Sequence, residues 1–286
     1  MSPTLCVVAP GCDSMGTRTH TFCCGFLCLL FLLFFFYGAK LAPRETLLGL
    51  KNWRLHAVIF CFTFILFPII GVGLKYATIG WLGQGLALGL LYLTLVPGTV
   101  QSSIAFTSVA HGNVAGAIVA SSLSNILGVF LTPLLVMLTM ATTGDVHITG
   151  RSILDIFLQI LLPFIIGQLL HKYLGPGLNR HPILTKTVDR GTIWINVYTA
   201  FSQAVVEGVW MRVTALHLLA LVGICIAVVS LVLVLSWCMA KGLGFNREDC
   251  IAAQFCGSKK SLSSGIAMGA VLFAGSTGEL SAGILM

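Results

Sequence analysis

Two adjacent lysines, Lys259 and Lys260, stand inside a run that is otherwise strongly apolar on its N-terminal side, from Cys250 to Cys256. A basic side chain at the centre of a bilayer costs about 2.5–3.5 kcal/mol on insertion scales, so such residues generally mark a cavity, a partner or a ligand. An ammonium group suits a carboxylate, sulfonate or phosphate. The lysines belong to the stretch Gly257-Ser258-Lys259-Lys260-Ser261, which has the form G-[TS]-x-x-S. The same form occurs earlier as Gly98-Thr99-Val100-Gln101-Ser102, followed by Ser103. The candidate substrate- or ion-binding residues are therefore Gln101, Ser102, Ser103, Ser121, Ser258, Lys259, Lys260 and Ser261. Gly98 and Gly257 are the expected points at which two helices break. The competing explanations are a loop outside the membrane for the lysines and close helix packing for the glycines. The apolar run opposes the first, and the polar company of both glycines opposes the second.

Other chemistries find no residues to carry them. HExxH, GxSxG and paired intramembrane aspartates are absent, which counts against an integral-membrane enzyme, and no catalytic residue is expected. The 10 cysteines form no CxxC or CxxH pair, so no metal site is expected. Most read as small hydrophobes in apolar runs.

The elements that must hold these residues follow from composition. Of 286 residues, 57% are hydrophobic and 9% charged, against roughly 25% charged in soluble domains. The net charge of +7 comes from too few and too scattered residues to form a nucleic-acid-binding face. The chain reads as an all-α, polytopic membrane protein. A crossing takes about 20 mostly apolar residues, which places spans near 21–39, 55–74, 79–110, 113–141, 152–173, 190–210, 214–240 and 249–274. Spans 79–110 and 249–274 are the two interrupted ones.

Basic residues orient the spans. Lys40, Arg44, Lys51, Arg54, Lys172, Arg180, Lys186, Arg190, Lys241 and Arg247 fall in one alternating set of connections. Only Lys75, Arg151 and Arg212 fall in the other. The richer set is expected to be cytoplasmic. Residues 1–21 form an atypical N-terminal segment, and 22–286 a single transmembrane domain. The run 22–37 also has the length of a signal-peptide core, but its basic residues follow it, which favours a retained helix.

With these directions the two G-[TS]-x-x-S spans run oppositely, as in inverted repeats. Paired interrupted helices in inverted halves point to a transporter's binding site at the midplane. Unwound backbone survives in a membrane only against protein or a wet cavity. Asn196, Thr199 and Gln203 share one helical face of span 190–210 and form a candidate cavity wall; hydrogen bonding between helices explains them equally well. His171 and His217 read as structural.

Several stretches resemble the bile acid:sodium symporter superfamily, in the branch of solute carrier family 10 member seven and its bacterial relatives. They are Tyr37-Gly-Ala-Lys-Leu41, Asn52-Trp-Arg-Leu-His56, Phe67-Pro68, Val96-Pro97-Gly98-Thr-Val-Gln-Ser102, Ile104-Ala-Phe-Thr107, His111-Gly-Asn-Val114 and Phe255-Cys-Gly-Ser-Lys-Lys-Ser-Leu262. The resemblance covers roughly residues 30–280. It implies two inverted five-helix repeats, with the fourth and ninth helices broken and crossing in a core domain beside a panel. Against that pattern the first helix looks absent and the tenth cut off after Met286, so the chain is expected to be C-terminally truncated. Sodium-coupled members carry an acidic residue with neighbouring amides at the second crossing, and an Asn at the first where this chain has Ile104. Here the second crossing carries Ser258, Lys259 and Lys260 instead. The resemblance therefore does not carry sodium coupling, and Na+ or H+ coupling stays open, with no other cofactor implied.

The function these residues point to is secondary transport of an organic, anionic solute by alternating access. The alternative is a non-transporting membrane protein that regulates ion balance or trafficking. The expected partners are a small-molecule solute and the lipid bilayer, with no nucleic acid. The expected place is the cell membrane, or the Golgi or another endomembrane in a eukaryote.

Overall fold

The computed structural model describes residues 52–141, 161–170 and 214–272, with isolated positions 31–32, 35, 173, 191, 194, 198, 202 and 205. Among these residues every regular element is helical. The helices that form the crossing and its surroundings are α1 (Trp53–Leu82), α2 (Gln84–Leu95), α3 (Gln101–Val109), α4 (Val114–Val136), α5 (Ala215–Gly242), α6 (Arg247–Ser258) and α7 (Leu262–Leu272), and residues 161–169 are also helical. By length and apolarity α1, α4 and α5 are each able to cross a membrane alone. The pairs α2–α3 and α6–α7 are short helices separated by irregular backbone, so each pair forms one interrupted crossing. The candidate wall residues Asn196, Thr199 and Gln203 lie outside the described residues.

Two boundaries differ from the sequence expectation. The connection expected at 75–78 is helical: α1 continues to Leu82, and Lys75 is only 2% exposed. Nothing in that stretch stops a helix. The turn comes at Gly83, whose φ of 84° is open to a residue without a side chain. The second interruption also lies later than expected. Gly257 is inside the last turn of α6, and the break falls on residues 259–261. A Cβ on Gly257 would lie 3.3 Å from the Cβ of Phe62, so this glycine serves close packing against α1.

Small side chains set the packing. Ala117 and Ala120 of α4 meet Ala252, Ala253 and Cys256 of α6, with Leu55 and Ile59 of α1 and Ala240 of α5 closing the cluster. In lipid no water drives helices together, so close backbone approach and interhelical hydrogen bonds carry more of the association. A second cluster packs Leu88, Leu91, Tyr92, Leu95 and Val96 around Val136 and Met140. The hydroxyl of Tyr92 donates to Gly265 O at 2.7 Å and ties α2 to α7.

One end of the bundle is fastened by Asp249, which is buried. Its carboxylate accepts from Asn113 Nδ2 at 2.7 Å and from Asn52 Nδ2 at 3.1 Å. Asn113 also caps α4 by accepting from Gly116 N, and its own N–H donates to Glu248 O. Asn246 caps α6 by accepting from Asp249 N at 2.8 Å. The N-terminal ends of α1, α4 and α6 thus meet around one carboxylate, where helix dipoles favour a negative charge. Arg54 Nη2 donates to Leu243 O beside them. Residues 52–54, 111–112 and 241–249, which lie in connections that the charge count assigns to the cytoplasm, therefore share this end.

Candidate functional site at the helix crossing

The two interruptions touch. Gly98 and Lys260 form an antiparallel backbone bridge, and Ser261 N donates to Pro97 O at 2.8 Å. The interrupted crossings therefore run in opposite directions where they meet. The approach needs Gly98: a Cβ there would lie 3.3 Å from Cys256 O and 3.4 Å from both Lys259 O and Ser124 Oγ. Backbone without a helical partner must find other partners inside a membrane. Here Gly98 N donates to Ser124 Oγ at 3.3 Å, Leu95 O accepts from Thr132 Oγ1 at 3.0 Å, and Phe255 O accepts from Ser103 Oγ at 3.2 Å.

Lys260 satisfies three more carbonyls. Its Nζ donates to Thr94 O at 2.8 Å, Val96 O at 2.9 Å and Thr63 O at 3.0 Å. Thr94 and Val96 flank the carboxyl end of α2, where α-helical partners have run out. Thr63 lies within a π-helical turn of α1, Phe62–Leu66. There Phe67 N donates back to Phe62 O, and the next residue is Pro68, which has no N–H. The Thr63 carbonyl is thereby left facing the crossing. The Phe67 ring lies 4.2 Å from Lys260 Nζ. Three charge-assisted bonds, each worth about 1.5–3 kcal/mol, outweigh the insertion cost of one ammonium, about 2.5–3.5 kcal/mol.

Lys259 points elsewhere. Its Nζ sits 3.2 Å from the centroid of the Phe106 ring and 5.7 Å from that of Phe255. The two rings are stacked 5.7 Å apart. Among the described residues no oxygen accepts from this ammonium. A cation–π contact is worth about 0.5–2 kcal/mol, and the half-buried ammonium keeps its remaining donors toward open space. It lines a cavity of about 460 Å³ together with Lys260, Ser258, Thr99, Ser102 and Phe255. The remaining wall is mostly apolar, with Phe67, Leu74, Leu90, Leu93, Val228, Val229 and Leu233 among it.

The sequence-derived residues separate into three groups. Ser102, Ser258, Lys259 and Lys260 line the cavity. Ser103, Ser121 and Ser261 are buried in the crossing itself. Of these, Ser121 Oγ donates to Cys256 Sγ at 3.5 Å, and Ser261 Oγ donates to Ser264 Oγ at 3.0 Å. Gln101 begins α3, is exposed and does not line the cavity. Sequence reasoning missed Thr99, whose Oγ1 lies 2.6 Å from Ser102 Oγ, and the ring pair Phe106 and Phe255. A phenylalanine two or four positions from a polar break is no signal in a chain this apolar. Among the described residues no three His, Cys, Asp or Glu side chains gather as a metal site.

The model of the SBF-like CPA transporter family matches residues 5–285. An uncharacterised protein of Pseudomonas aeruginosa is 47% identical over 85% of this chain and 73% of its own length. YfeH of Escherichia coli, named as a candidate symporter, is 44% identical over 85% of this chain and 73% of its own length. The sodium/bile acid cotransporter 7 of Xenopus tropicalis is 28% identical over 85% of this chain and 71% of its own length. Helices able to cross a membrane, a crossing of two interrupted helices and a family match over nearly the whole chain agree: this is an integral, multi-pass membrane protein that belongs to the SBF-like CPA transporter family.

Proposed function

We propose that this chain is a secondary transporter that moves an organic, anionic solute by alternating access, with the solute seated in the cavity beside the crossing. The observation that carries the reading is Lys259. Its ammonium is held over Phe106 at 3.2 Å, has no oxygen partner among the described residues, and opens onto the cavity. Thr99, Ser102 and Ser258 also line the cavity, and the rest of its lining is mostly apolar, so it offers a polar part and an apolar part. A solute with one negative group and an apolar body matches both parts. Bile acids, which the name of the Xenopus tropicalis relative cites, have that form.

The test is counterflow into proteoliposomes. Vesicles holding the protein are preloaded with an unlabelled amphipathic anion, and entry of the labelled form is followed, with taurocholate as the first probe and alkyl carboxylates and sulfonates next. Counterflow should appear for at least one anion and drop at least tenfold in Lys259→Met. The lipophilic cation tetraphenylphosphonium should show none. No counterflow for any anion, or equal counterflow in Lys259→Met, sinks the reading.

A further inference from the structure

The three carbonyls around Lys260 form a site in their own right. Thr63 O comes from the π-turn of α1, and Thr94 O and Val96 O from the carboxyl end of α2. Carbonyls released by interrupted helices, converging at a half-helix carboxyl end, are the ligands membrane proteins offer to small monovalent cations. An ammonium has three donors, and this one spends them on three oxygens at 2.8–3.0 Å. The Phe67 ring, 4.2 Å away, adds its π face. We propose that this is a cation site filled by the chain itself: the Lys260 ammonium stands in for a free sodium ion, so the crossing closes without sodium.

The geometry distinguishes this from an ordinary lysine bond. The oxygens come from two separate helices, and each is backbone with no intrahelical donor assigned to it. Removing the side chain would leave three converging dipoles around an ammonium-sized space, which a small cation fits and a bulky one does not. The consequence for uptake rests on the transporter reading above; the consequence for stability does not.

The experiment compares unfolding temperatures in detergent at constant ionic strength, in sodium, methylammonium or choline chloride. The wild-type chain should melt at one temperature in all three. Lys260→Ala should melt several degrees lower in choline and recover, saturably, in sodium or methylammonium. A wild type stabilised saturably by sodium over choline would overturn the proposal, as would an alanine variant indifferent to both small cations. Lys260→Gln keeps bulk and two donors without charge, and covers the case in which the alanine variant does not fold. It should melt below wild type in every salt; melting equal to wild type would show that the charge is unnecessary. In proteoliposomes, counterflow should be equal in sodium and choline, and a steep sodium dependence would overturn the proposal. If no solute moves at all, the transporter reading fails while the melting series still decides the cation site.

Discussion

Pro68 and Lys260 serve the same carbonyl from opposite directions. Pro68 withholds the N–H that a π-turn would aim at Thr63 O, and Lys260 Nζ supplies a donor at 3.0 Å from far along the chain. A local defect in one helix thus becomes an acceptor for another. The same logic holds at the end of α2, whose last carbonyls are satisfied by Lys260 and Thr132 rather than by further helix. The crossing is a closed exchange of backbone groups between elements that each lack something.

Pro68→Ala should separate helix stability from function. It returns a donor to α1, which lets Thr63 O find a partner within its own helix and draws it away from Lys260. Interior proline is unfavourable by about 3 kcal/mol relative to alanine, although its place just after a π-turn spares most of that here. The bond gained within α1 is worth about 0.5–1.5 kcal/mol and the one lost by Lys260 about 1.5–3 kcal/mol, so the unfolding temperature should change little or fall slightly, while counterflow falls severalfold. Unchanged counterflow would mean that the Thr63 carbonyl is dispensable.

Gly98→Ala should injure the crossing through space alone. The new methyl meets Cys256 O at 3.3 Å and Lys259 O at 3.4 Å, both backbone and unable to swing aside. Separating the two interruptions weakens the bond from Ser261 N to Pro97 O. Overpacking of this kind costs about 1–3 kcal/mol. Gly223→Ala is the matched control: nothing lies within 4 Å of its added Cβ, in the middle of α5. That change should be neutral or stabilising by up to about 1 kcal/mol. Equal melting of the two variants would contradict the close approach.

Asp249→Ala should loosen the end of the bundle without touching the cavity. It removes the acceptor of Asn52 and Asn113 Nδ2. Hydrogen bonds to a charged group are worth about 1.5–3 kcal/mol each, so a loss of about 3 kcal/mol or more is expected. Asp249→Asn keeps one oxygen acceptor and should lose roughly half as much. Denaturation in detergent orders the three; an order other than wild type, Asn, Ala would reassign the carboxylate.

Much of the crossing is legible in the sequence because polar residues stand out in apolar runs. Lys259 and Lys260, Gly98 and the twin G-[TS]-x-x-S stretches all announce themselves in that way. The exact break does not. The pattern points to Gly257, but what ends α6 is the pairing of residue 260 with Gly98, a contact no local signal encodes. The acceptors of Lys260 are equally silent, since every residue has a carbonyl and only the fold decides which are left over. Lys75 misleads in the opposite sense. Charge usually marks the end of a span, yet here α1 carries it inside and buries it. Gln101 shares its stretch with Ser102 but, as the first residue of α3, is exposed and does not line the cavity.

Lys259 and Phe106 give the most direct test of how the cavity handles charge. The ammonium stands 3.2 Å from the ring centroid, and the ring stacks on Phe255. Phe106→Leu keeps apolar volume but removes the π face, worth about 0.5–2 kcal/mol to the cation. Two consequences follow for an anion that pairs with Lys259. The ammonium loses its positioning, which weakens binding, and it becomes less compensated, which strengthens its pull on an anion. A held ammonium is preorganised, and each immobilised long side chain costs about 0.5–1.5 kcal/mol on binding, so positioning should prevail. Phe106→Leu should therefore weaken anion affinity by about threefold to tenfold, Lys259→Arg should keep most of it, and Lys259→Met should abolish it. Half-saturation of counterflow reads all three. If Phe106→Leu binds more tightly than wild type, compensation outweighs positioning, and the ring restrains the charge instead of presenting it.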